Sequence, residues 1–346
     1  VPPGVTSIQE SAFAGCALTV EIDLPPSLTW IGNSAFDRCG MASITLPDGI
    51  THIGESAFES CSQLLSFDIP PCVNRINDST FRDCVSLPRI TIPPTVITID
   101  DSAFFGCDNL RDLELSEGIT IGFGAFRSCG LRDTLELPYS LVTLEDQAFY
   151  DCPLSEVIFP PSVSTIGPSA FRSSSILRKA FFLGNAPTLG ENVFAEVGAG
   201  FTTYHLSGSA GFSTPTWEGY PAVELGEVDV WLLGYGYPLD TDLNQDLSGD
   251  GVTLLTAYAL DLDPHQNLIR HLPAPMVSGG ALAIRFYAAR PDIVYTVQTS
   301  RDLRNWGVDD VNLSGLGADN HVTASVNRTS PSHYLRLVLE QSAPDP

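Results

Sequence analysis

Residues 25–46 read PPSLTWIGNSAFDRCGMASITL, and residues 47–69 repeat the pattern as PDGITHIGESAFESCSQLLSFDI. Further copies of this unit begin near Pro70, Pro93, Ser116, Pro138 and Pro160. The central phenylalanine therefore returns every 22 or 23 residues, at Phe13, Phe36, Phe58, Phe81, Phe104, Phe126, Phe149 and Phe171, with a last copy at Phe194. A fixed period of this length predicts a solenoid, in which each coil buries its apolar side chains against neighbouring coils.

Each unit divides into a strand, a proline and a tight turn. Alternating aliphatic pairs such as Ile44 with Leu46 and Ile90 with Ile92 predict a short, half-buried strand. The proline after the pair ends the strand because it has no N–H to donate to a ladder. The sequence Ser-Ala-Phe-x-x-Cys is too short for a full helix and predicts one helical or 3₁₀ turn, which begins near Ser34, Ser56, Ser102 and Ser169.

Seven cysteines follow the phenylalanines by three residues, at Cys16, Cys39, Cys61, Cys84, Cys107, Cys129 and Cys152. The eighth repeat has Ser174 at this position, and a site that accepts Cys or Ser favours a small buried side chain with a weak hydrogen bond. We therefore predict a ladder of reduced thiols, with Cys72 outside it. Disulfides between stacked neighbours are the alternative. No Cys-x-x-Cys or paired His supports a zinc site.

The charge of the chain excludes several classes of partner. Its net charge is −24, from 41 acidic and 17 basic side chains, and Lys179 is the only lysine. A field of this sign repels phosphate backbones and anionic lipid, so nucleic acid and bare membrane are not expected partners. No run of 18 apolar residues predicts a transmembrane segment. Because Val1 lies inside a repeat, we expect a truncated or processed N-terminus.

The repeat resembles the BspA-type bacterial leucine-rich repeats over residues 1–182. The resemblance rests on Ala-Phe-x-x-Cys, the preceding Ile-Gly and the strand–proline junction, and GNAPTLGENVF at 184–194 resembles that family's closing unit. It implies a mainly β fold in which residues 1–226 form a right-handed solenoid of about 8–9 coils with one strand per coil and a closing unit at 183–226. It also implies a secreted or surface-attached bacterial protein that serves adhesion and partner binding.

Residues 227–278 predict a linker with a short helix or turn at 227–236 and an acidic loop. Alternating oxygen donors before Gly251 and an apolar run have the layout of an EF-hand or dockerin calcium loop. The predicted Ca²⁺ ligands are Asp242, Asn244, Asp246, Ser248, Asp250 and the carbonyl of Val252. Loop position 12 falls on Ala257, where a bidentate Glu is expected, so the alternative is an acidic turn that caps a helix over 253–260.

Residues 279–346 predict a small, sandwich-like β-domain. Alternating runs occur at 281–287, 293–299, 322–326 and 334–339. The segment YTVQTSRDLRNW at 295–306 and the closing YLRLVL resemble the small C-terminal β-domains of secreted proteins from environmental bacteria. That resemblance implies an accessory domain for surface attachment or sorting.

The sequence carries no catalytic pattern, so we predict that the protein is not an enzyme. Its six histidines share no spacing with a carboxylate or a nucleophile. The Gly-x-Ser triplets that end at Ser34, Ser56 and Ser169 resemble the start of a nucleophile elbow but lack its closing glycine. A glycosidase would need two carboxylates that converge in a cleft, whereas a solenoid presents an open face.

Two functional hypotheses follow from these features. The first is an extracellular or cell-surface binding protein whose solenoid face recognises a protein or a glycan. The second is a structural subunit of an extracellular filament or layer, because the first coil has no polar cap and an open coil can stack head to tail on another copy.

Overall fold

The computed structural model describes residues 1–17, 22–239, 241–278, 280–327 and 334–342. Its contacts divide the chain into two compact units, Val1–Glu224 and Leu225–Pro346. The first unit consists of stacked coils, and the second contains two helices and antiparallel strands. The further boundary near residue 278 stays a prediction.

The first unit is built from short strands. In chain order they are β1 (Ser7–Ile8), β2 (Trp30–Ile31), β3 (His52–Ile53), β4 (Arg75–Ile76), β5 (Arg89–Thr91), β6 (Thr98–Ile99), β7 (Asp112–Glu114), β8 (Thr120–Ile121), β9 (Thr134–Glu136), β10 (Thr143–Leu144), β11 (Glu156–Phe159), β12 (Thr165–Ile166), β13 (Lys179–Phe182), β14 (Thr188–Leu189), β15 (Thr202–Leu206), β16 (Thr216–Trp217) and β17 (Tyr220–Leu225). They form two ladders, which we call the first ladder and the second ladder.

The first ladder contains one two-residue strand from each of nine coils within the described residues. Its parallel sheets are β1-β2-β3, β4-β6-β8 and β10-β12-β14. The second residue of each strand, Ile or Leu, is at least largely buried, and the first points outwards. Glycine follows several of these strands because the coils touch there: a Cβ on Gly32 would lie 2.8 Å from the backbone nitrogen of Glu10, and one on Gly54 would lie 2.5 Å from that of Asn33.

The second ladder contains the strands that the alternating aliphatic pairs predicted. It comprises the β5-β7 pair and a sheet ordered β16-β17-β15-β13-β11-β9. Ile90 and Leu113 lie in β5 and β7 as expected. Ile44 is buried, but neither it nor Leu46 lies in a strand. The expectation of one strand per coil is therefore wrong, since the coils that carry both ladders have two short strands each.

The predicted helical or 3₁₀ turn at Ser-Ala-Phe-x-x-Cys is also wrong. The amides of Asp37 and Cys39 do bond the carbonyl oxygens three residues earlier, both at 3.1 Å. The intervening N–H of Phe36 instead bonds the carbonyl of Ala57 in the next coil at 2.8 Å. Ser34 and Arg38 have φ of 53° and 54°, as the third residue of a type II turn requires. Along these turns, every second backbone amide thus donates its hydrogen bond to the neighbouring coil.

The core of the first unit is a continuous stack of phenylalanine rings. Neighbouring rings from Phe13 to Phe194 lie 5.2 to 5.8 Å apart and nearly parallel. All of them except the half-buried Phe13 are buried. The stack ends against Phe201 and Tyr220 in the closing unit. The predicted solenoid of stacked repeats, and with it the mainly β fold class, is confirmed.

The second unit contains α1 (Glu227–Gly234), α2 (Leu254–Ala259), β18 (Met276–Ser278), β19 (Ala281–Tyr287), β20 (Ile293–Ser300), β21 (Asn312–Leu313), β22 (His321–Asn327) and β23 (Tyr334–Gln341). Its strands form an antiparallel sheet ordered β18-β19-β22-β21 and a β20-β23 pair. One apolar cluster joins α1 and α2 to β20 through Trp231, Tyr258 and Ile293. A second cluster packs Phe286 of β19 against Val297 of β20.

Candidate functional site

The cysteine ladder is the most chemically suggestive feature of the solenoid, and its geometry gives it a packing role. Each buried thiol donates a hydrogen bond to the carbonyl oxygen of a phenylalanine one coil earlier: Cys61 to Phe36 at 3.1 Å, for example. Cys152 bonds Phe126 in the same way at 3.0 Å. Ser174 takes the same place in the eighth repeat, where its hydroxyl lies 3.4 Å from a backbone carbonyl oxygen.

The environment of the buried thiols suppresses their reactivity. Burial raises the pKa of Cys61 and of Cys152 to about 12, and it also raises the pKa of Cys84 and Cys129. Only the thiolate is a good nucleophile or metal ligand, so these side chains are inert at neutral pH. Cys72 is exposed and lies outside the ladder.

The acidic loop of the second unit folds around its own backbone. The Asp246 carboxylate accepts the amide protons of Gly249 and Gly251 at 2.8 and 2.7 Å, and these bonds hold its pKa below the ordinary value of 3.8. Asp250 accepts the amides of Leu268 and Val252, which lower its pKa too. The loop oxygens therefore already stabilise a turn that leads into α2.

The loop holds only part of the ligand set that the calcium prediction requires. Asp242 accepts the amide of Asn244 at 2.9 Å, and Ser248 bonds Asp246 at 3.2 Å. Ala257, at the place of the bidentate Glu, is buried in α2. Within the described ranges, no group of three or more His, Cys, Asp or Glu residues is arranged to hold a metal ion. Calcium binding stays a prediction.

The serines of the three Gly-x-Ser triplets have a structural explanation. Ser34, Ser56 and Ser169 all have φ between 52° and 57°. This left-handed backbone belongs to the stacked turns, in which each of these residues donates its own amide to the next coil. Among the histidines, His333 lies outside the described residues.

The outward side of the first ladder, which we call the first-ladder face, carries exposed apolar side chains. Trp30 is 47% exposed, Ile97 55%, Phe123 41% and Val142 54%. Contiguous exposed apolar surface often marks an interaction site, and of these four side chains Phe123 and Val142 line one groove. The sequence did not reveal them, because only Ile97 and Val142 share a repeat position, one residue before their strands, and together the four side chains produce no period.

A groove of about 570 Å³ crosses this face at β6, β8 and β10. Phe123 and Val142 line it, together with the threonines Thr98, Thr120 and Thr143. Asp101 and Glu145 also line it. The lining of the groove therefore combines apolar side chains with acidic ones.

Part of the acidic charge near the groove is neutralised. Arg75 donates from Nε and Nη2, on one edge of its guanidinium group, to the two carboxylate oxygens of Asp100, and the Nη2 contact is 2.8 Å. Asp101 accepts the amide of Phe123 at 2.9 Å. Among the residues that the structure describes, neither Asp101 nor Glu145 has a salt-bridge partner, so these two carboxylates give the groove a negative potential.

At the N-terminal end of the same face, the rings of Trp30 and His52 stack with centroids 3.6 Å apart and planes 16° apart. Burial lowers the pKa of His52 against the opposing effect of Glu55, so the imidazole is neutral at pH 7. The first-ladder face thus has two distinct features, the groove and this stacked pair.

Comparison with known protein families gives a model for the BspA type leucine rich repeat region, matched in six copies at residues 1–111 and 97–209. Comparison with curated proteins gives no match. No helix in the described part of the chain has the length and apolar character needed to cross a membrane.

Several solved structures are similar to this chain. A leucine-rich repeat protein from Bacteroides ovatus is 20% identical over 65% of this chain and 77% of its own, with a TM-score of 0.40. A leucine rich cell surface protein from Faecalibacterium prausnitzii is 28% identical over 54% of this chain and 59% of its own, also with a TM-score of 0.40. A leucine rich repeat protein from T. pallidum is 31% identical over 36% of this chain and 70% of its own, with a TM-score of 0.34.

Proposed function

This chain belongs to the BspA-type leucine-rich repeat family, and on that premise we propose that it is a secreted or cell-surface, non-catalytic binding protein of a bacterium. Solenoids of this kind bind through extended open surfaces rather than through enclosed active sites. We assign the binding surface to the first-ladder face. The C-terminal unit then serves attachment or sorting, as its resemblance to accessory domains suggests.

The groove at β6, β8 and β10 is the observation that carries this proposal. Its exposed Phe123 and Val142 can bury apolar side chains of a partner, while Asp101 and Glu145 favour positive charge. The net charge of −24 also attracts a basic partner over a longer range. The groove therefore fits a segment of an extracellular protein that carries both Lys or Arg and aliphatic residues.

A peptide array tests the proposal. The full chain is applied to immobilised peptides in which the number of Lys/Arg and of Leu/Ile residues varies independently. We expect binding to peptides that contain both kinds, and weaker binding in 0.5 M salt because salt screens the charges. Phe123→Ser and Glu145→Gln should each weaken it by about fivefold or more, which is roughly 1 kcal/mol.

The matched control is Glu114→Gln, which removes the same charge from an exposed position on the second ladder. It should leave peptide binding unchanged. Binding that ignores peptide composition, or that falls equally in Glu114→Gln and Glu145→Gln, would contradict the assignment to the groove. The alternative of a filament subunit stays a prediction, and electron microscopy of the native material tests it, since monodisperse particles would argue against it.

A further inference from the structure

We propose that the N-terminal end of the first-ladder face holds a second binding site, in which the open face of the Trp30 indole stacks on a neutral sugar ring of a glycan. The site consists of Trp30, His52, Ser7 and Gln9, and we call it the Trp30 platform. It is separate from the groove and does not depend on what the groove binds.

The ladder register leaves one face of the indole open. Trp30 pairs with His52 in the following coil and with Ser7 in the preceding coil. The His52 ring covers one indole face at 3.6 Å. The residue paired with Trp30 on the other side is Ser7, whose short side chain bonds the Gln9 amide, and Trp30 keeps 47% of its surface exposed. The imidazole thus fixes the indole from one side while the other side remains accessible.

Polar side chains beside the open face suit a sugar. The amide nitrogen of Gln9 donates to the hydroxyl of Ser7 at 2.9 Å, so the two groups stand together next to the platform. Thr29, next to Trp30 on the same coil, and Thr51, on the following coil, are also exposed. A pyranose presents an apolar C–H face that packs on an aromatic ring and hydroxyls that bond amides and hydroxyls at the rim. One aromatic surface with a few such neutral groups is therefore complementary to it.

The local charge selects a neutral glycan. The described residues between Val1 and Asp37 contain no Lys, Arg or His but three acidic side chains, Glu10, Asp23 and Asp37, and Arg38, the next basic residue along the chain, already bonds Asp37. Sulfated or uronic-acid polymers would meet repulsion and no basic partner in these residues. A protein hot spot would need a wider apolar centre, whereas the next large exposed apolar side chain of the first-ladder face, Ile97, lies three coils away.

Affinity gel electrophoresis of the full chain tests the platform. The native protein is run through gels that contain β-1,3-glucan, xylan, mannan or galactomannan, and through alginate and dextran sulfate as anionic counterparts. We expect retardation in at least one neutral polymer and none in the anionic ones. Trp30→Ala should weaken the apparent affinity at least tenfold, and Gln9→Ala about threefold. Trp30→Phe, which keeps a ring against His52, should retain part of the binding.

Tyr139→Ala is the matched control, because it removes a side chain that is 65% exposed elsewhere on the solenoid. It should bind glycans like the parent. Melting curves of each variant confirm that it is folded. Retardation only in anionic polymers, no retardation in any neutral polymer, or equal retardation of Trp30→Ala would each overturn the proposal. A Trp30→Ala variant that loses only peptide binding on the array would overturn it in favour of a protein partner.

Discussion

Raising the pH above 9 should destabilise the solenoid through its buried thiols. In the fold, burial raises the pKa of Cys61 and Cys152 to about 12 from the ordinary value of 9.0. Their stabilisation is fully present below pH 9, where both states keep the proton. It is lost between pH 9 and pH 12, because the unfolded chain then ionises while the folded chain does not.

The size of the effect follows from these two pKa values. Between the two pKa values, each thiol removes about 1.4 kcal/mol of unfolding free energy per pH unit. From pH 8 to pH 10 the two thiols together should therefore remove about 3 kcal/mol. Cys84 and Cys129, whose pKa is raised as well, add to the total loss.

Urea unfolding at pH 8 and pH 10, in a reducing agent and followed by far-ultraviolet circular dichroism, measures the loss. The control is a Cys61→Ser/Cys152→Ser double variant, because serine already occupies the equivalent position at Ser174. Its stability should fall by about 3 kcal/mol less than that of the parent over the same pH interval. An identical fall in parent and variant would refute the buried-thiol account, as would a parent that loses nothing at pH 10.

Three further predictions concern the stacking of the coils, the Arg127 side chain and the acidic loop. Gly54→Ala should cost about 1–3 kcal/mol of unfolding free energy because its Cβ would collide with the preceding coil, whereas Gly49→Ala, with its nearest atoms 3.9 Å away, should be neutral or stabilising. Arg127→Ala should lower the unfolding free energy by about 1–2 kcal/mol, because the guanidinium lies over Tyr150 at 4.5 Å and Phe105 at 5.4 Å. The control, Arg132→Ala at an exposed site, should change it little, and urea titration measures both variants. Calcium at 5 mM should raise the melting temperature of the second unit relative to a chelator if the loop binds it, and an unchanged melt would remove the metal from the account.

The sequence predicted the parts of the solenoid that repeat. Phenylalanine at a constant period can be buried only by stacking, so the ring column from Phe13 to Phe194 followed directly from the spacing. The thiol ladder followed from the exchange of Cys for Ser174 at one position. Alternating apolar and polar residues also predicted the longer strands of the second unit. The strand β19 has the bounds that its pattern predicted.

The turns were mispredicted because their conformation is set by the next coil. Ser34 and Arg38 are not residues that favour a positive φ, so local preference pointed to a helical start. The amide bonds to the adjacent coil outweigh that preference, and they are invisible in a single repeat. The sequence did not predict the first ladder either, because a two-residue strand such as β2 is too short to show alternation.

The repeat pattern of the sequence did not predict the two proposed binding sites. Phe123 and Val142 come from different coils and different repeat positions, and only the stacked fold brings them to one groove. Trp30 has no aromatic counterpart at most other coils of its ladder, so its stacking on His52 and its open face over Ser7 depend on the register of β1, β2 and β3.

Hydrogen exchange of the full chain, with and without the tightest basic–apolar peptide from the array, tests the assignment of binding to the first-ladder face most directly. We predict slower exchange on peptide addition at the amides of β6, β8 and β10, with the second-ladder strands β7 and β9 unchanged. Protection confined to the second ladder or to the second unit, or no protection under saturating peptide, would contradict the account.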